Sequence, residues 1–459
     1  MPQQSVAEEF REAVAKSPGT HFESLTRTRT LHRLDRIPFL GAPVFFNASE
    51  RQRIAEILTV ITSAIERIGD LYYAGEMLPG ARPFRYHIPL SDRVVELCQL
   101  DSVHSPRLCV SRYDVAANPD TGEFQILEIN PGDPSALGYH DVALDGLLTS
   151  PITMAISNRH HIRTDHLLPL HRQALVEALP TPPQSPSQPT LAFAVAKESP
   201  VLDDHDVMAQ AARDVGYRAT VGDPRDFEWD GRKLRLGSVA IDAVWRDIID
   251  EFALDPYWDA TLAFRTAYGQ RAFALRNHFS VAFADCKGLF DILSDERNAC
   301  LFDGEQNRIL RAHIPWTRLL VEGRTVYDGR EVDLIELVRE RREHFVLKPN
   351  IGCCGYNVLI GCECSQKDWD ARIAAAVAMP GSDIVQRYCP LPTGFFPTTS
   401  GGYDELPFVS SFWQFGGHST GEFTGSFVRA SKSRVINIFH QGDGLFTVNG
   451  GISTIFWVD

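Results

Sequence analysis

Ten residues, Pro180-Thr181-Pro182-Pro183-Gln184-Ser185-Pro186-Ser187-Gln188-Pro189, five of them proline, divide the chain. Proline locks φ and lacks an N–H, so this run can form neither a helix interior nor a central strand. It has no apolar periodicity and predicts an exposed linker. The fold must therefore be assembled from segments on either side of it. A length of 459 residues gives room for two or three domains with buried cores.

Before the linker, Ile54, Ile57, Leu58, Ile61 and Ile65 recur at helical spacing and predict a helix over residues 50–70. Residues 107–130 predict two strands around a turn. After the linker, Leu191-Ala192-Phe193-Ala194-Val195 predicts a strand, Ala209–Val215 a helix, and Tyr217–Val221 a second strand after Gly216. That order predicts a small α/β unit with a parallel sheet. Helices then dominate to about residue 300. The remaining residues alternate strands and helices, are dense in glycine, and end on a strand over Ile452–Val458.

The net charge of −14 repels nucleic acid and anionic membrane, so neither is an expected partner. An anionic small molecule would need a local patch of Lys and Arg. Met1-Pro2-Gln3-Gln4-Ser5 begins no signal segment, and no apolar run is long enough to span a bilayer. Nine cysteines without a disulfide-like framework fit reduced thiols and the cytoplasm. Cys353, Cys354, Cys362 and Cys364 lack paired zinc spacing. His160, His161, His166 and His171 read as a polar surface stretch. A homo-oligomer remains open.

The candidate chemistry starts with Arg112-Tyr113-Asp114 and Glu128-Ile129-Asn130, separated by the turn signal Asn118-Pro119-Asp120-Thr121-Gly122. A loop over 119–123 would set Asp114 opposite Glu128 and Arg112 opposite Asn130. Side chains two apart share a strand face, so the four polar groups would meet. Two carboxylates and an amide oxygen suit Mg²⁺. Taken alone, the same face also suits a solvated strand with ion pairs.

Phe345-Val346-Leu347-Lys348-Pro349-Asn350-Ile351-Gly352-Cys353-Cys354-Gly355-Tyr356-Asn357-Val358 is an apolar strand ending in Lys, a loop with two glycines and a β-prone return. Glycine lets backbone N–H groups approach phosphate oxygens and Lys adds charge, although a plain hairpin reads the same way. Asp285-Cys286-Lys287 starts a predicted helix, where a lone Lys is ordinarily solvated. Ile384-Val385-Gln386-Arg387-Tyr388-Cys389-Pro390 is a short strand stopped by proline, with an edge position expected. Gly425-Ser426-Phe427-Val428-Arg429, then Val435-Ile436-Asn437-Ile438 and Gly442-Asp443-Gly444, predict a glycine-rich strand pair offering a cation. Arg246 is a candidate carboxylate anchor, or a surface ion pair.

In this order the motifs resemble the circularly permuted ATP-grasp ligases, and the synthetase portion of glutathionylspermidine synthase in particular. The resemblance covers roughly residues 105–459. It implies an α/β (α+β) fold, a permuted ATP-grasp with a small Rossmann-like pre-ATP-grasp unit. The parts would be a mostly helical N-terminal region (1–104), a metal-binding hairpin part (105–180), a pre-ATP-grasp-like unit (190–275) and an ATP-binding part (276–459). It implies ATP and Mg²⁺, two ions, as cofactors, and small-molecule acid and amine partners. Asp114, Glu128 and Asn130 would hold metal. Lys287 and Lys348 would contact ATP phosphates, Gly352 and Gly355 would shape the loop over them, and Gln386, Arg387 and Tyr388 would line the adenine. Arg112 would face the reacting acyl-phosphate and Arg429 the substrate or phosphate. The implied reaction is ATP-dependent amide formation through an acyl-phosphate, releasing ADP and phosphate. A small-molecule kinase, a non-catalytic ATP scaffold and an interaction protein are the alternatives. Two departures stand out: no amidase domain has a counterpart, and Cys353-Cys354 replace glycine-rich sequence in the loop.

Overall fold

The computed structural model describes residues 2–34, 36–101, 106–179, 188–247, 249–415, 423–436, 439–442, 445–448 and 450–459. Residues 180–187 of the expected linker lie outside the described residues, as do Asn437-Ile438 and Asp443-Gly444. Among the described residues no helix is long and apolar enough to cross a membrane. The architecture is mixed: an eight-stranded sheet, a parallel four-stranded sheet and an antiparallel four-stranded sheet, each with its own helices.

The eight-stranded sheet joins distant parts of the chain. The hairpin of Val110–Ala117 and Phe124–Asn130 pairs with Tyr403–Phe415, which pairs with Phe423–Ser431 and then Gly450–Val458. Val44–Asn47, from the N-terminal region, adds alongside Gly450–Val458 in parallel. One sheet face carries Phe46, Tyr113, Phe412, Val428 and Trp457 into a core shared with Ile54, Leu58, Ile61 and Ile65 of the helix Ala48–Tyr73. These helix positions form one apolar stripe, which explains why the helix lies on that face. The other face carries Trp413, Phe427 and Ile452 against the helix Leu137–Leu148. Both faces are thus buried, and every residue from Gly451 to Val458 is buried.

After the linker, Thr190–Ala194, Ala243–Arg246, Ala274–Arg276 and Arg218–Gly222 form the parallel sheet, in the spatial order 274–276, 243–246, 190–194, 218–222. The helix Leu202–Asp214 crosses between its first two strands in sequence. The antiparallel sheet is built from Thr317–Leu319, Asp383–Arg387, Phe345–Pro349 and Leu359–Ile360. It packs through Phe345, Leu347 and Val385 against Trp369, Ile373 and Val338 of the helices Gln366–Ala378 and Leu334–Glu340.

Three expectations are corrected. Asp383–Arg387 is an interior strand, paired on both sides, because Pro390 lies beyond its end and removes no ladder hydrogen bond. Phe423–Ser431 pairs with Tyr403–Phe415 and Gly450–Val458, not with the segment that follows it. His171 is buried edge-on against Trp245, not at a polar surface.

Trp369 is fully buried and donates its ring N–H to the Val338 carbonyl at 2.9 Å, joining the two helices behind the antiparallel sheet. Trp369→Ala should lower stability by ~3–5 kcal/mol. Denaturant unfolding measures this, and a loss below about 1 kcal/mol would mean that the ring does not hold this unit together.

Candidate active site

The hairpin register pairs Arg112 with Asn130 and Asp114 with Glu128. It does so by two offsetting departures from a simple hairpin. The loop is one residue longer than expected, closing Ala117 on Phe124, and a bulge after Asp114 restores the pairing. The Asn118 side chain accepts from Asp120 N at 2.9 Å, the Asx geometry that a turn of this composition favours.

Asp114 is buried and gathers donors from four adjacent strands. Its Oδ1 accepts from Arg112 Nε at 3.0 Å and from Ser411 Oγ at 2.7 Å. Its Oδ2 accepts from Asn130 Nδ2 at 3.1 Å and pairs with Arg429 Nη2 at 2.8 Å. Burial pushes its pKa up, but Arg112 and then Arg429 outweigh that and hold the carboxyl well below the usual carboxylate range. Arg112 also donates from Nη1 to the Ser135 carbonyl at 2.7 Å and lies over the Trp413 ring.

Glu128 is in a different state. Its carboxylate meets Lys287 Nζ at 2.9 Å, with 30% of its side chain exposed. Burial raises its pKa, and Lys287 followed by Lys348 brings it below the ordinary value. Lys287 is buried, contrary to the solvated helix lysine expected from sequence. It sits just before the helix Leu289–Ser294, and its Nζ also donates to the Gly352 carbonyl at 2.6 Å. Lys348 Nζ donates to the Leu127 carbonyl at 3.1 Å and to Gln386 Oε1 at 2.8 Å. Burial lowers the Lys348 pKa, with Glu128 opposing.

These groups line one cleft with about 1020 Å³ of empty space, part of it open to solvent. Gly352 and Gly355 border it in a loop where Gly355 takes φ +68° and a Cβ would come within 2.7 Å of Val435. Tyr388 borders the same cleft, and its hydroxyl accepts from Arg434 at 3.4 Å. Arg387 borders it too, but its guanidinium is committed to Asp328 and stacks over Tyr327. Arg246 corrects the surface reading: it is fully buried and donates to the Asp247 and His278 carbonyls, so it is no surface ion pair. Sequence reasoning missed Ser411. Its only signal was a pair of serines, Ser410-Ser411, inside the otherwise apolar stretch 406–413.

The donor chemistry fits Mg²⁺ unevenly. Glu128 and the Asn130 amide oxygen are hard oxygen donors, and an ammonium already stands on Glu128 where a cation would go. Asp114 is saturated by its donors and fits an ion only if one of them gives way.

No protein-family model and no curated protein matches the chain. Among solved structures, a glutathione synthetase-like effector from Globodera pallida, in its apo form, matches 95% of this chain and 96% of its own. The TM-score is 0.56 at 11% identity, so the likeness is one of fold along the whole chain. D-cycloserine synthetase covers 58% of this chain and 91% of its own at 18% identity, with a TM-score of 0.27, too loose an overlap to carry an argument.

Asp114→Asn leaves two guanidinium groups without their counter-charge and should cost ~3–5 kcal/mol at neutral pH. The exposed pair Arg163–Asp459 is the control: Asp459→Asn should cost below about 1 kcal/mol. The folded pKa of Asp114 lies below its unfolded value near ~3.9. Its stabilisation is therefore full above that pH and fades as pH falls beneath it. Urea unfolding of both variants at pH 7 checks the contrast; equal costs would mean that Asp114 does not compensate buried charge.

Proposed function

We propose that this chain is an ATP-dependent carboxylate–amine ligase of permuted ATP-grasp type, forming an amide through an acyl-phosphate and releasing ADP and phosphate. The observation that carries the proposal is the meeting of Lys287 and Lys348, sixty-one positions apart in sequence, around Glu128 on the face that also holds Arg112, Asp114 and Arg429. The hairpin precedes both lysines in the chain, the order that separates the permuted group from ordinary ATP-grasp enzymes. The partners in this reading are a small-molecule acid and a small-molecule amine.

A carboxylate is a poor electrophile, and transfer of the γ-phosphoryl group gives it a good leaving group. Such transfer needs positioning and charge neutralisation more than covalent help from the protein. Lys348, half-buried and with a lowered pKa, gains most from an anion arriving beside it. Lys287 is balanced by Glu128 and can pass to phosphate when a divalent ion takes its place on that carboxylate. Mg²⁺, when bound, would neutralise phosphate charge, held by Glu128 and Asn130. The loop containing Gly352 and Gly355 would cover the phosphates, with Gln386 and Tyr388 along the nucleotide. Arg112 presents a fixed fork of donors, oriented by Asp114 and Ser135, toward the oxyanion that forms when an amine attacks.

Screening amino acids and amines in pairs for ADP release tests the reading. A ligase releases ADP only when acid and amine are both present; release with one substrate alone would point to a kinase. ATP that neither stabilises the protein nor is consumed under any pairing would sink the proposal. Lys348→Ala should weaken ATP binding by ~1.5–3 kcal/mol through loss of a charge-assisted contact. Isothermal titration checks this, and unchanged affinity would remove Lys348 from the phosphate site. Arg112→Lys should keep ATP affinity yet lose on the order of 10²-fold in turnover, because Lys keeps the charge without the planar fork. Near-normal ADP release in that variant would leave Arg112 with the sole task of pairing with Asp114.

A further inference from the structure

Outside the cleft, one cluster gathers metal-ligating side chains from three separate segments. Asp133, His205 and Asp247 bring ligand atoms within 4.8 Å of one another. Asp133 follows the hairpin, His205 lies on the helix Leu202–Asp214, and Asp247 follows the strand Ala243–Arg246. Glu251 stands against Asp247 from the next turn. His205, Asp247 and Glu251 are 1%, 1% and 4% exposed.

The hydrogen bonds around the cluster define which atoms face inward. His205 Nδ1 lies 3.0 Å from the Val201 carbonyl, which can only accept, so Nδ1 donates outward and Nε2 is the ring atom turned to the cluster. Asp247 Oδ2 accepts from Ser199 Oγ at 2.9 Å, and Glu251 Oε1 accepts from Ala196 N at 3.0 Å. The remaining atoms, Asp133 Oδ1, His205 Nε2, Asp247 Oδ1 and Glu251 Oε2, are buried without a donor from any other side chain or backbone N–H among the described residues. Four polar atoms therefore converge, and without an ion only protons shared among the carboxyls and the ring can join them. Leaving such groups unsatisfied is costly, and carboxylates facing one another compound the cost. Burial first, and then the Asp247 carboxylate, raises the pKa of both Asp133 and Glu251.

We infer that Asp133, His205 and Asp247, with Glu251 beside them, bind one divalent first-row transition ion of the zinc type. A ring nitrogen among carboxylates selects such an ion over Ca²⁺ or Mg²⁺. An imidazole whose other nitrogen donates to a backbone carbonyl, and the Asp247 and Glu251 carboxylates each held by one oxygen, are the outer contacts that orient metal ligands. Ligand bonds of ~2.0–2.2 Å put tetrahedral ligand atoms ~3.4 Å apart, so the set, whose atoms lie within 4.8 Å of one another, draws together on loading. Asp133 is half-buried and gives the ion its route in. The site lies beyond the C-terminal ends of strands 190–194 and 243–246, the end of a parallel sheet where ligands ordinarily bind. Bound there, the ion would staple the parallel sheet to the segment that carries Ser135, the carbonyl partner of Arg112. The inference stands independently of the proposed reaction.

The test is a Co²⁺ titration of the chelator-stripped full chain in excess Mg²⁺, read by visible d–d absorption and equilibrium dialysis. One Co²⁺ per chain should bind, displaceable by Zn²⁺, and thermal unfolding should shift upward on loading. The band should be lost in His205→Gln and in Asp247→Asn and kept in Glu128→Gln. X-ray absorption of the loaded wild-type chain should show one imidazole nitrogen among oxygens, which decides the matter even where a variant fails to fold. No stoichiometric uptake, binding unaffected by His205→Gln in a folded variant, or oxygen-only coordination would overturn the inference. Stabilisation by a primary amine without ion uptake would also overturn it, since the cluster would then hold an ammonium.

Discussion

Two guanidinium groups and one carboxylate, all largely out of water, can coexist only if each charge finds its partner, and Asp114 is where that requirement is met. Its donors come from strand 124–130 through Asn130, from its own strand through Arg112, from strand 403–415 through Ser411 and from strand 423–431 through Arg429. The four strands are neighbours in the large sheet only because a segment after residue 400 inserts beside a hairpin that ends at residue 130. Burying the charges gains little net energy, but removing one leaves the rest stranded. The carboxylate thus fixes the mutual register of strands that are far apart in sequence, and with it the direction of Arg112.

The hairpin was legible in the sequence because a strand repeats every two residues and its turn carries Asn, Pro, Asp and Gly. The facing pairs follow from parity, even though the loop is longer by one residue and a bulge makes up the difference. The helix over residues 50–70 and the small parallel sheet were legible for the same reason, a local period. Lys287 was not, since its burial depends on Glu128 and Gly352, which lie far away in sequence. The interior position of strand 383–387 and the burial of Arg246 likewise depend on partners that no local pattern names. Chain order, not any single motif, carried the information about the cleft.

The two lysines are held by a residue with no charge. Asn350 follows Pro349 at the end of the Lys348 strand. Its carbonyl accepts from Lys287 N at 2.8 Å, and its side-chain oxygen accepts from Gly288 N at 2.7 Å. Its amide donates to the His87 and Gly381 carbonyls at 3.1 and 2.9 Å. Gly288 makes the approach possible, as a Cβ there would stand 2.1 Å from the His87 carbonyl oxygen. The turn bearing Lys287 is thereby clamped to the strand bearing Lys348, so the spacing of the two ammonium groups is set by backbone contacts, not by flexible side chains.

That arrangement couples the loop to the Glu128 carboxylate. Lys287 Nζ spans Glu128 on one side and the Gly352 carbonyl on the other. An ammonium has three donors and one charge, so a phosphate arriving at Lys287 contests the charge with Glu128, and contests the Gly352 bond once it takes more than the third donor. Under the proposed function, nucleotide entry would loosen the hold on Gly352 and free Glu128 in one event, while Asp114, saturated by its own donors, would keep Arg112 in position throughout. The fixed half of the cleft and the exchangeable half are then distinguished by the number of donors on each carboxylate, several on Asp114 and a single lysine on Glu128, although the two stand opposite each other on one hairpin.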